Sequence, residues 1–235
     1  MDNVLYEGKS KVICQGPNDE SVIIRYKDTA TALNGEKKED LLGKGKLNAA
    51  ISNLIFRYLE TQGIETHLIE AIDETTTLVK RAEIIMVEAI VRNIAAGNFS
   101  KRYGIAEGTA LKNTTFELSL KSDKLGDPMI NESQVTAIGF ATAQELAEMT
   151  EKALCINKIL SELFMKVKIK LVDFKLEFGR CNGKIILCDE ISPDSCRFWD
   201  AETNKKLDKD RFRRDLGGVL DGYQDVLKRL QSVCI

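Results

Sequence analysis

Charged residues at alternate positions are the first feature of this sequence that could do chemistry. In Asp173-Phe174-Lys175-Leu176-Glu177-Phe178, a strand would put Asp173, Lys175 and Glu177 on one face and the apolar side chains on the other. The run Leu187-Cys188-Asp189-Glu190 follows the turn residues Cys181-Asn182-Gly183. If those turn residues form a three-residue hairpin loop with Gly183 left-handed, Lys175 lies opposite Asp189 and Glu177 opposite Leu187. Glu177 and Asp189 are then diagonal neighbours on one face. Such pairs stand roughly 7–8 Å apart at the backbone, so inward-reaching carboxylates could share one magnesium ion at ligand distances of about 2.0–2.1 Å. The same residues also read as a solvated strand face with an ordinary cross-strand Lys–Asp pair.

Other segments concentrate anion-binding groups. Tyr6-Glu7-Gly8-Lys9-Ser10-Lys11 places a glycine, a hydroxyl and two lysines at a strand-turn-strand boundary, where backbone amides can approach phosphate oxygens and lysines supply charge. It matches neither the P-loop nor the dinucleotide pattern, and an exposed basic turn explains it equally simply. Val91-Arg92-Asn93, with Gly97-Asn98-Phe99-Ser100-Lys101-Arg102 after it, clusters donors and cations suited to anion capture or to a basic surface loop. Ser192-Pro193-Asp194-Ser195-Cys196-Arg197-Phe198-Trp199-Asp200 carries the only tryptophan among charges directly after the carboxylate strand. It reads either as a binding loop or as a loop anchored by Trp199.

Composition limits what these groups could serve. With 235 residues, 43% of them hydrophobic and 30% charged, the chain can bury a sizeable core as one large domain or two small lobes. A net charge of −2 gives no bulk electrostatic reason to hold a nucleic-acid polymer, while small phosphorylated ligands remain open. No stretch reaches the roughly 18 apolar residues of a membrane span, and a start containing Asp2 and Glu7 does not read as a signal peptide. A cytoplasmic protein without a membrane partner is expected. Cys14, Cys155, Cys181, Cys188, Cys196 and Cys234 form no CxxC pair and read as reduced structural thiols. His67 is the only histidine, which argues against Ser-His-Asp and histidine-rich metal schemes and directs any metal to carboxylates, hence to magnesium.

The elements that must position these groups follow from periodicity and turn residues. Lys11 to Cys14 and Ser21 to Tyr26 predict a hairpin about the turn Gly16-Pro17-Asn18-Asp19. The polar stretch 28–46, with Gly35, Gly43 and Gly45, reads as a mobile loop. Leu47, Ile51, Leu54, Ile55, Tyr58 and Leu59 recur at helical spacing and end at a capping Gly63. Strands are expected at 66–72, 75–81 and 84–91, then a glycine-containing loop over 95–108 and a strand near 116–120. Thr142 and Glu145 form a capping box ahead of the stripe Leu146, Met149, Ala153, Ile156, Leu160, Leu163, Val167, which reads as core packing. A strand hairpin over 172–191, an irregular charged loop, a helix from about Asp208 and another through Leu230 complete the chain. A mainly antiparallel N-terminal sheet with one helix, residues 1–83, would pack as one lobe against residues 84–235 around a cleft.

Taken in order, seven segments resemble the SAICAR synthetase family almost end to end. They are Tyr6–Lys11, Lys44-Gly45-Lys46-Leu47-Asn48, Glu88-Ala89-Ile90-Val91-Arg92-Asn93 and Asp127-Pro128-Met129-Ile130-Asn131-Glu132, followed by Asp173–Gly179, Asp189-Glu190-Ile191-Ser192-Pro193-Asp194 and Leu207-Asp208-Lys209-Asp210. The resemblance implies an α+β, two-lobed, ATP-grasp-like fold of antiparallel sheets with packed helices. ATP would lie between a nucleotide-binding lobe at 1–83 and a lobe at 84–235 carrying the metal and substrate site. It implies a ligase of purine biosynthesis that joins L-aspartate to carboxyaminoimidazole ribonucleotide through an acyl phosphate, releasing the succinocarboxamide, ADP and phosphate.

Carried over by motif, Lys9, Ser10 and Lys11 would line the triphosphate, Lys80 and Met86 the adenine side, and Lys121 the phosphates. Glu177 and Asp189, with Asp127, would hold Mg2+; Arg92 and Arg197 would hold the ribonucleotide; Asp173 and Lys175 would line its ring and carboxylate. Lys9, Lys11 and Lys121 would neutralise charge during phosphoryl transfer. Where the family reads Ala-Ala-Gly-Ser, this chain has Ala95-Ala96-Gly97-Asn98, so an amide donor replaces a hydroxyl and Ser100 becomes a second candidate for that contact. The oligomeric state, a homo-oligomer included, stays open. Another ATP-grasp-like ligase, a small-molecule kinase or a non-catalytic nucleotide-binding module would use many of the same residues.

Overall fold

The computed structural model describes residues 3–32 and 35–233. Asp2, Cys234 and positions 33 and 34 of the polar stretch lie outside the described residues. The N-terminal half contains β1 (Val4–Glu7), β2 (Lys11–Gln15), β3 (Ser21–Tyr26), β4 (Thr29–Ala32), β5 (Lys37–Asp40), α1 (Lys44–Thr61), β6 (Leu68–Ala71) and β7 (Thr76–Lys80). β1, β2, β3, β7 and β6 make a five-stranded antiparallel sheet in that order; the β2–β3 hairpin and the β6–β7 pair are those the alternation and turn residues predict, while β1 had no predicted bounds.

The stretch 28–46 is not the loop expected of it. Its polar surface hides a second hairpin, β4 with β5, because Ala30 and Ala32 bury against Phe212 while the Thr29 hydroxyl donates to Asp40 Oδ1 at 2.7 Å. The helix also begins a turn earlier than its apolar spacing suggests. The Asp28 carboxylate accepts the Gly45 N–H at 2.9 Å, satisfying an amide that the helix itself leaves open. Gly45 is required there by close approach: a Cβ would stand 2.7 Å from the Tyr26 carbonyl oxygen.

The second half comprises β8 (Glu83–Ile94), α2 (Gly97–Tyr103), β9 (Ala110–Leu120), a 3-10 turn at Asp123–Leu125, β10 (Met129–Ile130), α3 (Glu132–Ile138), α4 (Ala143–Lys166), β11 (Ile169–Cys181), β12 (Lys184–Cys188), β13 (Cys196–Asp200), α5 (Asp210–Arg213) and α6 (Val219–Gln231). Its six-stranded sheet runs β10-β9-β8-β11-β12, and β13 also pairs with β11. The architecture is therefore α+β with antiparallel sheets. The 95–108 loop contains the short helix α2, and the supposed irregular loop after residue 191 contains strand β13, whose Phe198 and Trp199 bury their side chains. The core stripe of α4 is buried as its spacing predicts, against Phe174, Leu176 and Phe178 of β11. The same core takes in Ile51, Ile55 and Leu59 of α1 and Tyr223 of α6. No helix of the described residues is long and apolar enough to cross a membrane.

The capping box of α4 is present in both directions, and Glu145 also receives Arg180 Nε at 2.5 Å. The Arg180 hydrogen bond, followed by the Thr142 backbone amide, holds the Glu145 carboxyl at about 2, below its ordinary 4.5. A depressed carboxyl contributes stability that is present above its unfolded pKa and is lost as pH falls through the folded one. Glu145→Gln keeps the box but loses the charge for Arg180, so it is expected to destabilise the protein by about 1 kcal/mol at neutral pH. The difference from the parent should shrink as pH drops from 4.5 towards 2, which urea unfolding across that window measures.

Candidate active site

β8 and β11 lie side by side in the six-stranded sheet, and their register decides which side chains share its polar face. Asp173 pairs with Arg92, Lys175 with Ile90 and Glu177 with Glu88. Opposed residues share a face, so the row Asp173, Lys175, Glu177 meets Arg92 and Glu88, while Val87, Ala89 and Val91 face the core. At about 3.3 Å per residue the row spans roughly 13 Å. Along its other edge β11 changes neighbour: β13 follows its first half and β12 its last. Between them the chain at 189–195 turns away, and the Lys175 N–H donates to the Ser195 carbonyl at 3.0 Å. Lys175 thus sits at a fork in the sheet.

At one end of the row Asp173, only 4% exposed, is held between two arginines. Arg92 Nη1 donates to Asp173 Oδ2 at 2.8 Å, and Arg197 Nη1 to both carboxylate oxygens at 3.0 Å. Arg92 Nε is fixed by Glu117 Oε2 at 2.7 Å and Arg197 Nε by Asp210 Oδ2 at 3.0 Å. Burial works against the Arg197 charge, but Asp173 and Asp210 outweigh it and leave the guanidinium firmly protonated. Its Nη2 rests against Gly97, the first residue of α2.

At the other end lysines and carboxylates interleave. Lys175 Nζ donates to Glu88 Oε1 at 2.6 Å and to Glu177 Oε1 at 2.9 Å, and Lys121 Nζ to Glu177 Oε1 at 2.7 Å. Lys11 reaches across from β2 to Asp189 and to Glu190 Oε1, the latter at 2.9 Å. Burial disfavours the Lys11 charge, yet Asp189 and Glu190 more than compensate and raise its pKa above the lysine range. Burial likewise opposes ionisation of Asp189, but Lys11, Lys175 and Lys121 hold its carboxyl well below the usual range. Glu88 goes the other way: burial raises it, and Lys175 only partly offsets that.

The hairpin reaches this arrangement by a different route from the expected one. Asn182 and Gly183 are both left-handed, so the loop has two residues, Cys181 pairs with Lys184, and Cys188 rather than Leu187 lies opposite Glu177. Asp189 would then face away from the row if the strand continued. Instead its own backbone is left-handed, with φ 62, and its carboxylate comes back to Lys11.

The remaining candidates make their contacts elsewhere. Lys9 pairs with Asp123 at 2.6 Å, which ties the β1–β2 turn to the 3-10 turn after Lys121, and the adjacent Ser10 carbonyl accepts the Lys27 N–H at 2.8 Å. Lys80 donates to the Thr66 carbonyl at 2.9 Å, and Met86 is half exposed on β8 with its carbonyl accepting the Lys121 N–H. Asp127 Oδ1 accepts the Ser122 N–H at 2.9 Å, and its charge is felt at Glu88. Asn98 is exposed on α2, whereas the Ser100 hydroxyl is buried without a hydrogen-bond partner among the described residues. Asp194 receives Lys44 at 2.6 Å and the Tyr223 hydroxyl at 2.6 Å, and Trp199 lies under Lys206.

Glu88, Glu117, Glu190 and Asp210 join these contacts although the sequence analysis gave them no role; Glu88, Glu190 and Asp210 lie in segments that carry the family resemblance, and Glu88 also shares the alternate-position face of its strand with Arg92. Around Lys11, Lys121 and Lys175 the carboxylates Glu88, Glu177, Asp189 and Glu190 are in excess, and all their donor atoms are oxygens, which suits a hard cation. Among the described residues no cluster of three or more acidic, histidine or cysteine side chains could hold a metal alone. Magnesium fits such a site because it takes one or two protein carboxylates and completes its shell with phosphate oxygens and water.

An antiparallel sheet that presents lysines, carboxylates and an arginine-held aspartate along one face, in an α+β protein, has the chemistry to suit small, highly charged ligands. The model of the SAICAR synthetase family matches residues 4–230, and the chain belongs to that family. The phosphoribosylaminoimidazole-succinocarboxamide synthase of Finegoldia magna is 54% identical over 229 residues, covering 97% of this chain and 99% of that protein. The crystal structure of the corresponding synthase from Ehrlichia chaffeensis superposes with a TM-score of 0.96 at 46% identity over 98% of this chain and 99% of that one. A SAICAR synthetase solved in complex with ADP gives 0.94 at 43% identity over 97% of each chain.

Proposed function

We propose that this chain is an ATP-dependent ligase of purine biosynthesis that joins L-aspartate to 5-amino-1-(5-phospho-D-ribosyl)imidazole-4-carboxylate, giving SAICAR, ADP and phosphate. The observation that carries the reading is the β11 row, with arginines at its Asp173 end and lysines and carboxylates at its Glu177 end, in a chain matching the family over residues 4–230. The bound ADP of the related synthetase supports ATP as the phosphoryl donor. The fold reads as two-lobed and ATP-grasp-like, with residues 1–83 contributing the nucleotide side and 84–235 the metal and substrate side. The protein works in the cytoplasm on these small molecules, and a homo-oligomer is compatible with that role.

A carboxylate oxygen is a poor leaving group, so the imidazole carboxylate is activated by phosphoryl transfer from ATP, and the aspartate amine then displaces phosphate from the acyl phosphate. Lys9, Ser10 and Lys11 line the triphosphate, Lys80 and Met86 the adenine side, and Lys121 the phosphates. Lys11, Lys121 and Lys175 offset the negative charge that moves from nucleotide to carboxylate. Asp173 sets the two arginines; Arg92 and Arg197, with Asn98 or Ser100, grip the ribonucleotide, while Lys175 stands at its carboxylate. Glu177 and Asp189, with Asp127 as a further candidate, would hold Mg2+, which neutralises phosphate oxygens when bound. No protein nucleophile is needed. An assay that omits each substrate in turn tests the reading: ADP release should require both aspartate and the imidazole ribonucleotide, and release with either missing would point to a kinase or a simple hydrolase.

Gly97 offers a narrower check. It is left-handed at φ 54, and a Cβ there would collide with the Arg197 guanidinium. Gly97→Ala should therefore shift that guanidinium and strain the start of α2, raising the ribonucleotide KM about tenfold while the ATP KM stays within about twofold. Steady-state kinetics with each substrate varied separately will show it.

A further inference from the structure

Lys44 has no part in the mechanism above, yet its side chain is among the largest fully buried ones of the described residues. It is the first residue of α1, where a cation opposes the helix dipole, and no acidic residue of the first turn offsets it. A buried ammonium is costly unless an opposite charge meets it. That charge is Asp194, in the loop that joins β12 to β13. Lys44 Nζ stands 2.6 Å from Asp194 Oδ2, and the Tyr223 hydroxyl of α6 donates to Oδ1 at 2.6 Å. Burial opposes ionisation of Asp194, but Lys209, 3.8 Å away, and Lys44 keep its carboxyl well below the usual range. The helix thus gives up local stability at its first position to hold a carboxylate from the other half of the chain.

What Asp194 holds in turn is the approach to Arg197. The Asp194 N–H donates to Ser192 Oγ at 3.1 Å, and the Ser192 carbonyl accepts the N–H groups of Ser195 at 3.1 Å and Cys196 at 2.9 Å. Those bonds close the turn that brings the Ser195 carbonyl to the Lys175 N–H and starts β13, in which Arg197 pairs with Asp173. α1 meets the same loop a second time, where Ser52 Oγ accepts the Ile191 N–H at 3.2 Å. We infer that Lys44 is a positioning residue for the ribonucleotide: by fixing Asp194 together with Tyr223, it sets the turn from which Arg197 reaches the Asp173 end of the row. A residue of the N-terminal half, the half assigned to the nucleotide, then governs the grip on the other substrate. Lys11, Lys121 and Asp189 gather at the opposite end of the row, so loosening this clamp spares the nucleotide side.

The inference rests on the reading of Arg197 as the grip on the ribonucleotide, and the test separates the two. Lys44→Met keeps the length of the side chain without its charge, and Tyr223→Phe keeps the ring without its hydroxyl. Lys44→Met combined with Asp194→Asn removes both charges. The double variant should recover the thermal stability that Lys44→Met loses, because no buried carboxylate is left short of its partner. Titration calorimetry of the full chain with the imidazole ribonucleotide and with ADP, thermal melts, and hydrogen exchange at 195–197 are the readouts. Lys44→Met should bind the ribonucleotide about tenfold more weakly and Tyr223→Phe about threefold, both with ADP affinity within about twofold of the parent and faster exchange at 195–197. The double variant should keep the ribonucleotide defect despite its regained stability. Ribonucleotide affinity that returns along with stability in the double variant would overturn the inference, as would equal losses for both ligands or parent-like ribonucleotide binding in Tyr223→Phe. Arg197→Lys serves as the control. If it binds the ribonucleotide like the parent, the Arg197 reading falls, and exchange at 195–197 in the double variant alone decides whether Lys44 holds the turn.

Discussion

Glu177→Gln and Asp189→Asn are each expected to abolish turnover while leaving the fold in place. Both carboxylates are embedded among ammonium groups: Glu177 takes Lys121 and Lys175, and Asp189 takes Lys11. Neutralising either one removes charge from the place where a phosphoryl group and its counter-ion have to be balanced. Loss of one preorganised electrostatic group of this kind typically lowers kcat by about a hundred- to a thousandfold, and loss of a metal ligand adds to that. The fold should survive because the stranded lysines keep other partners. Lys175 retains Glu88, Lys11 retains Glu190, and Lys121 is about a third exposed and can turn to solvent. ADP release at saturating magnesium, together with thermal melts, separates the outcomes. Near-normal rates in either variant would remove the metal assignment, whereas a purely structural pair would show lowered stability with an intact rate.

The polar row of β11 was legible because it is local. Alternation over six residues places Asp173, Lys175 and Glu177 together without any knowledge of the rest of the chain, and the structure keeps them so. The hairpin was harder. Assuming a three-residue loop put Asp189 opposite Lys175; the Asn182-Gly183 pair instead makes a two-residue turn, a preference already written in that dipeptide. Asp189 nevertheless joins the site, through a left-handed residue that no periodicity announces. Asp210 could not have been assigned from its neighbourhood, because its importance lies in Arg197, thirteen positions earlier and on a different element. The hairpin of β4 and β5 was missed for a related reason. Its strands are short and polar, and the contact that buries Ala30 and Ala32 comes from Phe212 near the other end of the chain.

Arg197→Lys is expected to weaken ribonucleotide binding at least about tenfold and to leave ATP binding nearly unchanged. The guanidinium is a planar fork, and here it is already used as one: Nε meets Asp210, Nη1 meets Asp173, and Nη2 faces Gly97 at the start of α2. An ammonium is a point charge and cannot hold Asp173 and Asp210 while also presenting a donor to a ligand. The defect should fall on one substrate because Arg197 lies at the Asp173 end of the row, whereas Lys11, Lys121 and Asp189 gather at the other. The brace itself also weakens, so a loss of roughly 1–2 kcal/mol in stability should accompany the binding defect. Titration calorimetry with each ligand separately decides between the roles. A selective loss for the ribonucleotide supports the arginine as its grip. Equal losses for both ligands, or none for either, would mean that Arg197 only ties β13 to Asp173 and Asp210, and the division of the row into a ribonucleotide end and a nucleotide end would have to be abandoned.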